Sequence, residues 1–224
     1  MNKQELMVFG DSHTSIFNNL CDVHKFSASS CRGLGNDKSN NQIGNKIIKT
    51  LQDMDLTKKK CIFMFGNVDT IFCTVYNYNK YKDNNLLLEY LYKTITNYQN
   101  FILKIINMFP GISLHIFGVY PYKYDEKTHL NFCKREAHYK NIMNNIDDNS
   151  IKFYKPTIVP NKNIMIQLIN IFNEKMSLFC KKESIKFYKI ENISNKYMNN
   201  DKNDHHFNNS IIELWYPIIK QISL

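Results

Sequence analysis

Leu6-Met7-Val8-Phe9-Gly10-Asp11-Ser12-His13-Thr14 decides how this chain is read. Its four apolar residues run without alternation, the pattern of a strand buried on both faces. Gly10 breaks the strand, Asp11 and Ser12 follow at once, and Thr14-Ser15-Ile16-Phe17 through Leu20 can open a helix. A serine hydroxyl is thereby expected at the carboxyl end of a first strand, against a helix N-terminus. Open α/β sheets place ligands there, and helix N-termini stabilise negative charge. Taken alone, Gly-Asp-Ser is also common turn material, and Ser caps helices.

The rest of the chain repeats the alternation. Short apolar runs predict strands at His24–Ser29, Cys61–Phe65, Ile112–Val119 and Ile185–Ile190, the last alternating in character and so placed at an edge. Apolar stripes at helical spacing predict helices near 40–53, over Leu86–Phe109, over Ile164–Cys180 and roughly over 209–222. Pro110-Gly111 ends the longest of them. Strands alternating with helices imply right-handed crossovers and an α/β fold, a parallel five-stranded sheet with helices on both faces. His115, alternating with apolar residues inside its strand, reads as structural. No linker or repeat divides residues 1–224, which read as a single domain. The polar, Tyr-rich segment Tyr76–Asn85 receives no assignment. Residues 120–160 read as a variable insertion at the edge of the site, with a helix around 131–145.

Composition narrows the function classes. The 224 residues are 43% hydrophobic and 13% aromatic, enough for a proper core. No run of about 18 apolar residues suggests a membrane span. Met1-Asn2-Lys3-Gln4-Glu5 is polar and does not resemble a secretory leader. Six cysteines without a Cys-x-x-Cys pair read as reduced thiols in a cytoplasmic setting. The formal charge of +9 invites a nucleic-acid partner. Against that, Arg32 and Arg135 are the only arginines, and the lysines are spread along a chain rich in Asn and Ile, as an AT-rich genome produces. Lys58-Lys59-Lys60 reads as a solvated loop, so no nucleic-acid partner is expected.

Four polar clusters follow strands: Asp11-Ser12, Ser29 to Gly35, Asn67 to Asp69, and Asp201 to His206. In a parallel sheet all four can converge on one edge. A serine hydroxyl is a weak nucleophile; it needs a base, an acid that orients the base, and donors for the oxyanion. The chain offers Ser12 as nucleophile, His206 or His205 as base, and Asp204 or Asp201 as orienter. The backbone N–H groups of Ser12 and Gly33 and the Asn67 amide are the candidate oxyanion donors. Asp204-His205-His206 also presents zinc-ligand types, but adjacent histidines rarely share one ion and no third ligand is evident, so neither metal nor cofactor is expected. His13 is assigned no chemistry.

The order Gly10-Asp11-Ser12-His13, Gly33 in a small-residue loop, Gly66-Asn67-Val68-Asp69, and an Asp/His cluster before a C-terminal helix resembles the SGNH/GDSL hydrolase superfamily over the whole length of the chain. The resemblance implies a flavodoxin-like three-layer α/β/α fold and ester hydrolysis. It implies Ser12 as nucleophile, Gly33 and Asn67 as oxyanion donors, and the late His and Asp as the rest of a catalytic triad. Two blocks depart from the pattern. The family's Gly-x-Asn-Asp becomes Gly66-Asn67-Val68-Asp69, closer to relatives that carry Gly-Glu-Ile-Asp. The usual Asp-x-x-His has Asn203 at its acidic position if His206 is the base. The expected function is a serine esterase acting on an O-acyl group, such as O-acetyl, of a carbohydrate or small molecule. The alternative is an impaired SGNH-like domain that binds a glycan or a protein.

Overall fold

The structure, a computed structural model, describes residues 5–36, 39, 41–135, 156–199 and 204–223. Five parallel strands form one sheet: β1 (Leu6–Gly10), β2 (Asp22–Lys25), β3 (Lys60–Met64), β4 (Ser113–Phe117) and β5 (Lys186–Tyr188), in the order β2-β1-β3-β4-β5. This is the flavodoxin-like order, with its reversal between β1 and β3. The helices are α1 (Ile43–Gln52), α2 (Thr74–Tyr81), α3 (Asn84–Met108), α4 (Glu126–Arg135), α5 (Lys162–Lys182) and α6 (Ile212–Ser223).

The sheet divides two cores, and β1 alternates between them. Met7 and Phe9 join one core with Ile47, Phe101, Ile102, Phe172 and Met176; Leu6 and Val8 join the other with Phe17, Phe117, Trp215 and Ile219. The second core is narrower. There the Trp215 indole stacks on Phe117 with ring centroids 4.2 Å apart, and its N–H donates to the Tyr120 hydroxyl at 2.8 Å. That clamp holds α6 against this face of the sheet. Covering both faces explains the unbroken apolar runs of β1 and β3.

Several elements depart from the sequence reading. The turn after Ser12 is a 3-10 helix, Ser12–Phe17, rather than an α-helix. β2 begins at Asp22, two residues earlier than expected, and ends at Lys25. The unassigned Tyr-rich segment belongs to a π-turn, Asp69–Cys73, continuing into α2, because Ile71, Phe72 and Val75 are buried. The start of the expected insertion is packed: Tyr122, Tyr124, His129 and Phe132 are all buried. The helix expected around 131–145 overlaps α4 only over 131–135; the rest of that expectation falls on residues 136–155, outside the described set. Among the described residues no helix is long and apolar enough to cross a membrane.

Candidate active site

Gly10 starts the construction. A Cβ there would lie 2.3 Å from the Met64 carbonyl oxygen and 2.3 Å from Thr14 Cγ2, so only glycine lets the chain turn this close to β3. Asp11, fully buried, caps the turn: its Oδ1 accepts the His13 N–H at 3.0 Å and pairs with His13 Nδ1 at 2.9 Å. Burial opposes ionisation of Asp11, but the His13 charge and hydrogen bonds outweigh it and hold the carboxyl below its ordinary range. Ser12 is thereby presented as the first residue of a 3-10 helix, where a backbone N–H has no partner within the turn.

The other half arrives from the far end of the chain. Met198 and Phe207 form an antiparallel bridge, and the Asn208 side-chain amide donates to the carbonyls of Lys196 and Met198 at 2.7 and 3.0 Å. Phe207 packs edge-on against Tyr120, ring centroids 4.8 Å apart. Within this clamp Asp204 Oδ1 accepts the His206 N–H at 2.9 Å and meets His206 Nδ1 at 2.7 Å, while Asn199 Nδ2 donates to Asp204 Oδ2 at 2.8 Å. His206 Nε2 lies 2.8 Å from Ser12 Oγ.

The electrostatics suit proton transfer. Burial, helped by the neighbouring His205, holds the His206 imidazole below its ordinary value, so the ring is neutral and able to accept a proton near neutral pH. Burial opposes ionisation of Asp204, but the hydrogen bonds from the His206 N–H and ring prevail and keep it a carboxylate. With Nδ1–H donated to Asp204, the Nε2 lone pair faces the serine hydroxyl.

Of the expected residues, Ser12, His206 and Asp204 come together. The buried His205 ring packs edge-on against Phe72, centroids 4.7 Å apart, and lies beside His206. Asp201 and Asn203 lie outside the described residues. The Gly33 N–H donates to the Ser30 carbonyl at 3.1 Å inside a short 3-10 turn. That turn is fastened by buried Asp69, which accepts the Ser30 hydroxyl and the Cys31 N–H, the latter at 2.8 Å. Asn67 is buried at the end of β3. Its Oδ1 accepts the Tyr120 N–H at 3.1 Å, and its Nδ2 has no acceptor among the described residues. Because Gly10 and Met64 are register partners, Asn67 and Ser12 follow adjacent strands at the sheet's topological reversal.

The sequence reading missed His13, Asp11, Asn199 and Tyr120. Asp11 and His13 sit inside the very stretch that signalled the serine; Asn199 and Tyr120 carry no local signal. His13, Tyr120 and Asn199 line, with Ser12, His206 and Lys25, a cavity of about 600 Å³ over the site. One ring nitrogen each of His13, His205 and His206 lies within 4.8 Å of the other two, the grouping among the described residues that could hold a metal ion.

No protein-family profile and no curated protein sequence matches the chain. Solved structures do. An extracellular lipase from Streptomyces rimosus aligns over 98% of this chain and 99% of its own at 9% identity, with a TM-score of 0.53. A phospholipase A1 from Streptomyces albidoflavus aligns over 81% and 77% at 9% identity, TM-score 0.41. A gut microbial diltiazem-metabolizing enzyme aligns over 84% of this chain and 37% of its own at 14% identity, TM-score 0.44. The chain therefore shares the fold of the S. rimosus lipase along essentially its whole length.

Proposed function

We propose that the protein is a serine ester hydrolase of SGNH type, in which Ser12 is the nucleophile, His206 the general base and Asp204 the orienting acid. One observation carries the reading: an unbroken relay from Ser12 Oγ to His206 Nε2 (2.8 Å) and from His206 Nδ1 to Asp204 (2.7 Å). The lipase fold is consistent with it. Ser12 Oγ attacks the ester carbonyl carbon as its proton moves to His206 Nε2. Asp204 stabilises the imidazolium. The developing oxyanion is met by the Ser12 N–H and by Asn67 Nδ2, which has no acceptor among the described residues. The tetrahedral adduct collapses, the alcohol leaves with the proton from His206, and a water activated by the same imidazole hydrolyses the acyl-serine.

The cavity bears on substrate. Ser15, Lys25, Ser27, Asn199, Asn208 and Asn209 line it beside Ile16, Tyr120, Phe207 and Ile211, a mixed surface that suits a polar alcohol carrying a short acyl group. An O-acetylated carbohydrate or a small polar ester fits that description. p-Nitrophenyl acetate is the first test: purified protein is expected to hydrolyse it, and Ser12→Ala to abolish turnover. Unchanged turnover in that variant rejects the assignment.

A second reading is a binding module that has kept the fold without the chemistry. It is favoured by the Gly33 N–H, committed to Ser30 and so withdrawn from the expected oxyanion donors. A fluorophosphonate probe separates the two: covalent labelling at Ser12 supports the esterase, and no labelling of folded protein supports the binder.

A further inference from the structure

The third metal ligand that the sequence did not supply stands beside the nucleophile. His13, from the first turn, converges with His205 and His206 from the last loop; ring centroids are 5.0 Å apart for His13–His206, 5.4 Å for His13–His205 and 3.8 Å for His205–His206. Two of these rings carry the support that metal-binding imidazoles need. His13 Nδ1 is held by Asp11 at 2.9 Å and His206 Nδ1 by Asp204 at 2.7 Å. A carboxylate on Nδ1 fixes the tautomer, turns the Nε2 lone pair outward and raises its donor strength. Both rings line the cavity over the site, so an aqueous ion has a path to them.

Donor type selects the ion. Three imidazoles suit a borderline metal such as zinc(II), with water completing a tetrahedron, whereas magnesium and calcium prefer oxygen cages. Zinc–nitrogen bonds put two ligands of a tetrahedron about 3.3 Å apart. The three nitrogens lie within 4.8 Å of each other, so binding requires the rings to close by up to about 1.5 Å.

We propose that a zinc(II)-class ion binds across His13, His205 and His206 and switches the site off. The consequence, though not the binding, rests on the esterase reading. Zinc on His206 Nε2 occupies the lone pair that accepts the Ser12 proton, so the 2.8 Å serine–histidine hydrogen bond is lost and the hydroxyl is no longer activated.

Chelator-treated full-length protein is titrated with zinc by calorimetry and with cobalt(II), whose visible absorption reports a tetrahedral nitrogen-ligated site. One ion per chain with micromolar affinity is expected. His13→Gln and His205→Phe are each expected to weaken it by about tenfold or more. His205→Phe keeps an aromatic ring against Phe72 and guards against a His13 variant that fails to fold. Ser12→Ala, which cannot turn over, is expected to bind zinc at least as tightly, because the hydroxyl no longer competes for His206. In wild-type protein, p-nitrophenyl acetate turnover is expected to fall with zinc occupancy and to return with chelator. Absence of binding, affinity unchanged in both histidine variants, or turnover that rises with zinc overturns the proposal. Binding that depends on His13 in a protein without esterase activity removes the esterase reading and upholds the metal site.

Discussion

Asp204→Asn tests the relay at its most quantitative point. Asp204 Oδ1 faces His206 Nδ1 at 2.7 Å, and both side chains are about one-third exposed (35% and 33%). With an effective dielectric of about 40, between interior and bulk values, unit charges at that distance attract by about 3 kcal/mol. The attraction exists only while the imidazole is protonated, which is during the transition state. Its loss is therefore expected to lower kcat by roughly a hundredfold and to move KM little. That figure is a floor. An asparagine amide can donate to Nδ1, placing the remaining ring proton on Nε2, where it can no longer accept from Ser12. Initial rates with p-nitrophenyl acetate across a range of substrate concentrations separate kcat from KM. A kcat within about threefold of wild type refutes Asp204 as the orienter. Asp201→Asn, assayed in parallel, is expected to remain within that limit, and a large loss there instead would transfer the role.

Other outcomes follow from the same geometry. Asn67→Ala is expected to cost 10²- to 10³-fold in kcat, roughly the value of one oxyanion donor, with KM little changed, as steady-state kinetics would reveal. Gly10→Ala drives a methyl into the Met64 carbonyl and Thr14, and chemical denaturation should register a loss of about 2 kcal/mol or more. Acid should destabilise the fold before it denatures it outright. Burial pushes the imidazole of His129 down to about 4, and burial with nearby Lys186 and Lys60 does the same to His115. The unfolded chain binds these protons near pH 6.5 and the folded chain does not. Stability is thus complete above about pH 6.5 and falls toward pH 4, with His129 alone worth up to about 3 kcal/mol. Denaturation midpoints flat between pH 7 and pH 4.5 would contradict this.

The legible parts of the chain were those where burial leaves a mark on residue type. β1 and β3 are covered on both faces, so their apolar runs stand out, and α3 shows its stripe because only one face is buried. β2 was misplaced because it is an edge strand of partly buried polar residues, Asp22-Val23-His24-Lys25. The π-turn and α2 went unread because Asn, Tyr and Lys dilute the apolar period and only Ile71, Phe72 and Val75 anchor them. In the candidate site, Ser12 and the cluster Asp204-His205-His206 stood out because each lies in a polar break, but the sequence did not choose between His206 and His205 or between Asp204 and Asp201. The Gly33 contact was not readable, since its partner is a carbonyl three residues back, in a turn fastened by Asp69 from the π-turn after β3. Nor was the meeting of His13 with His205 and His206, which exists only once the sheet brings the two chain ends together.

The clamp of Trp215 on Phe117 also has a bearing on the timing of synthesis. A ribosome-bound chain still lacking residues beyond Asp204 can pair most of its sheet, yet it holds the Ser12 alcohol without His206. If Ser12 and His206 act as proposed, a copy cut before His206 is expected to keep its five strands and to show no esterase activity.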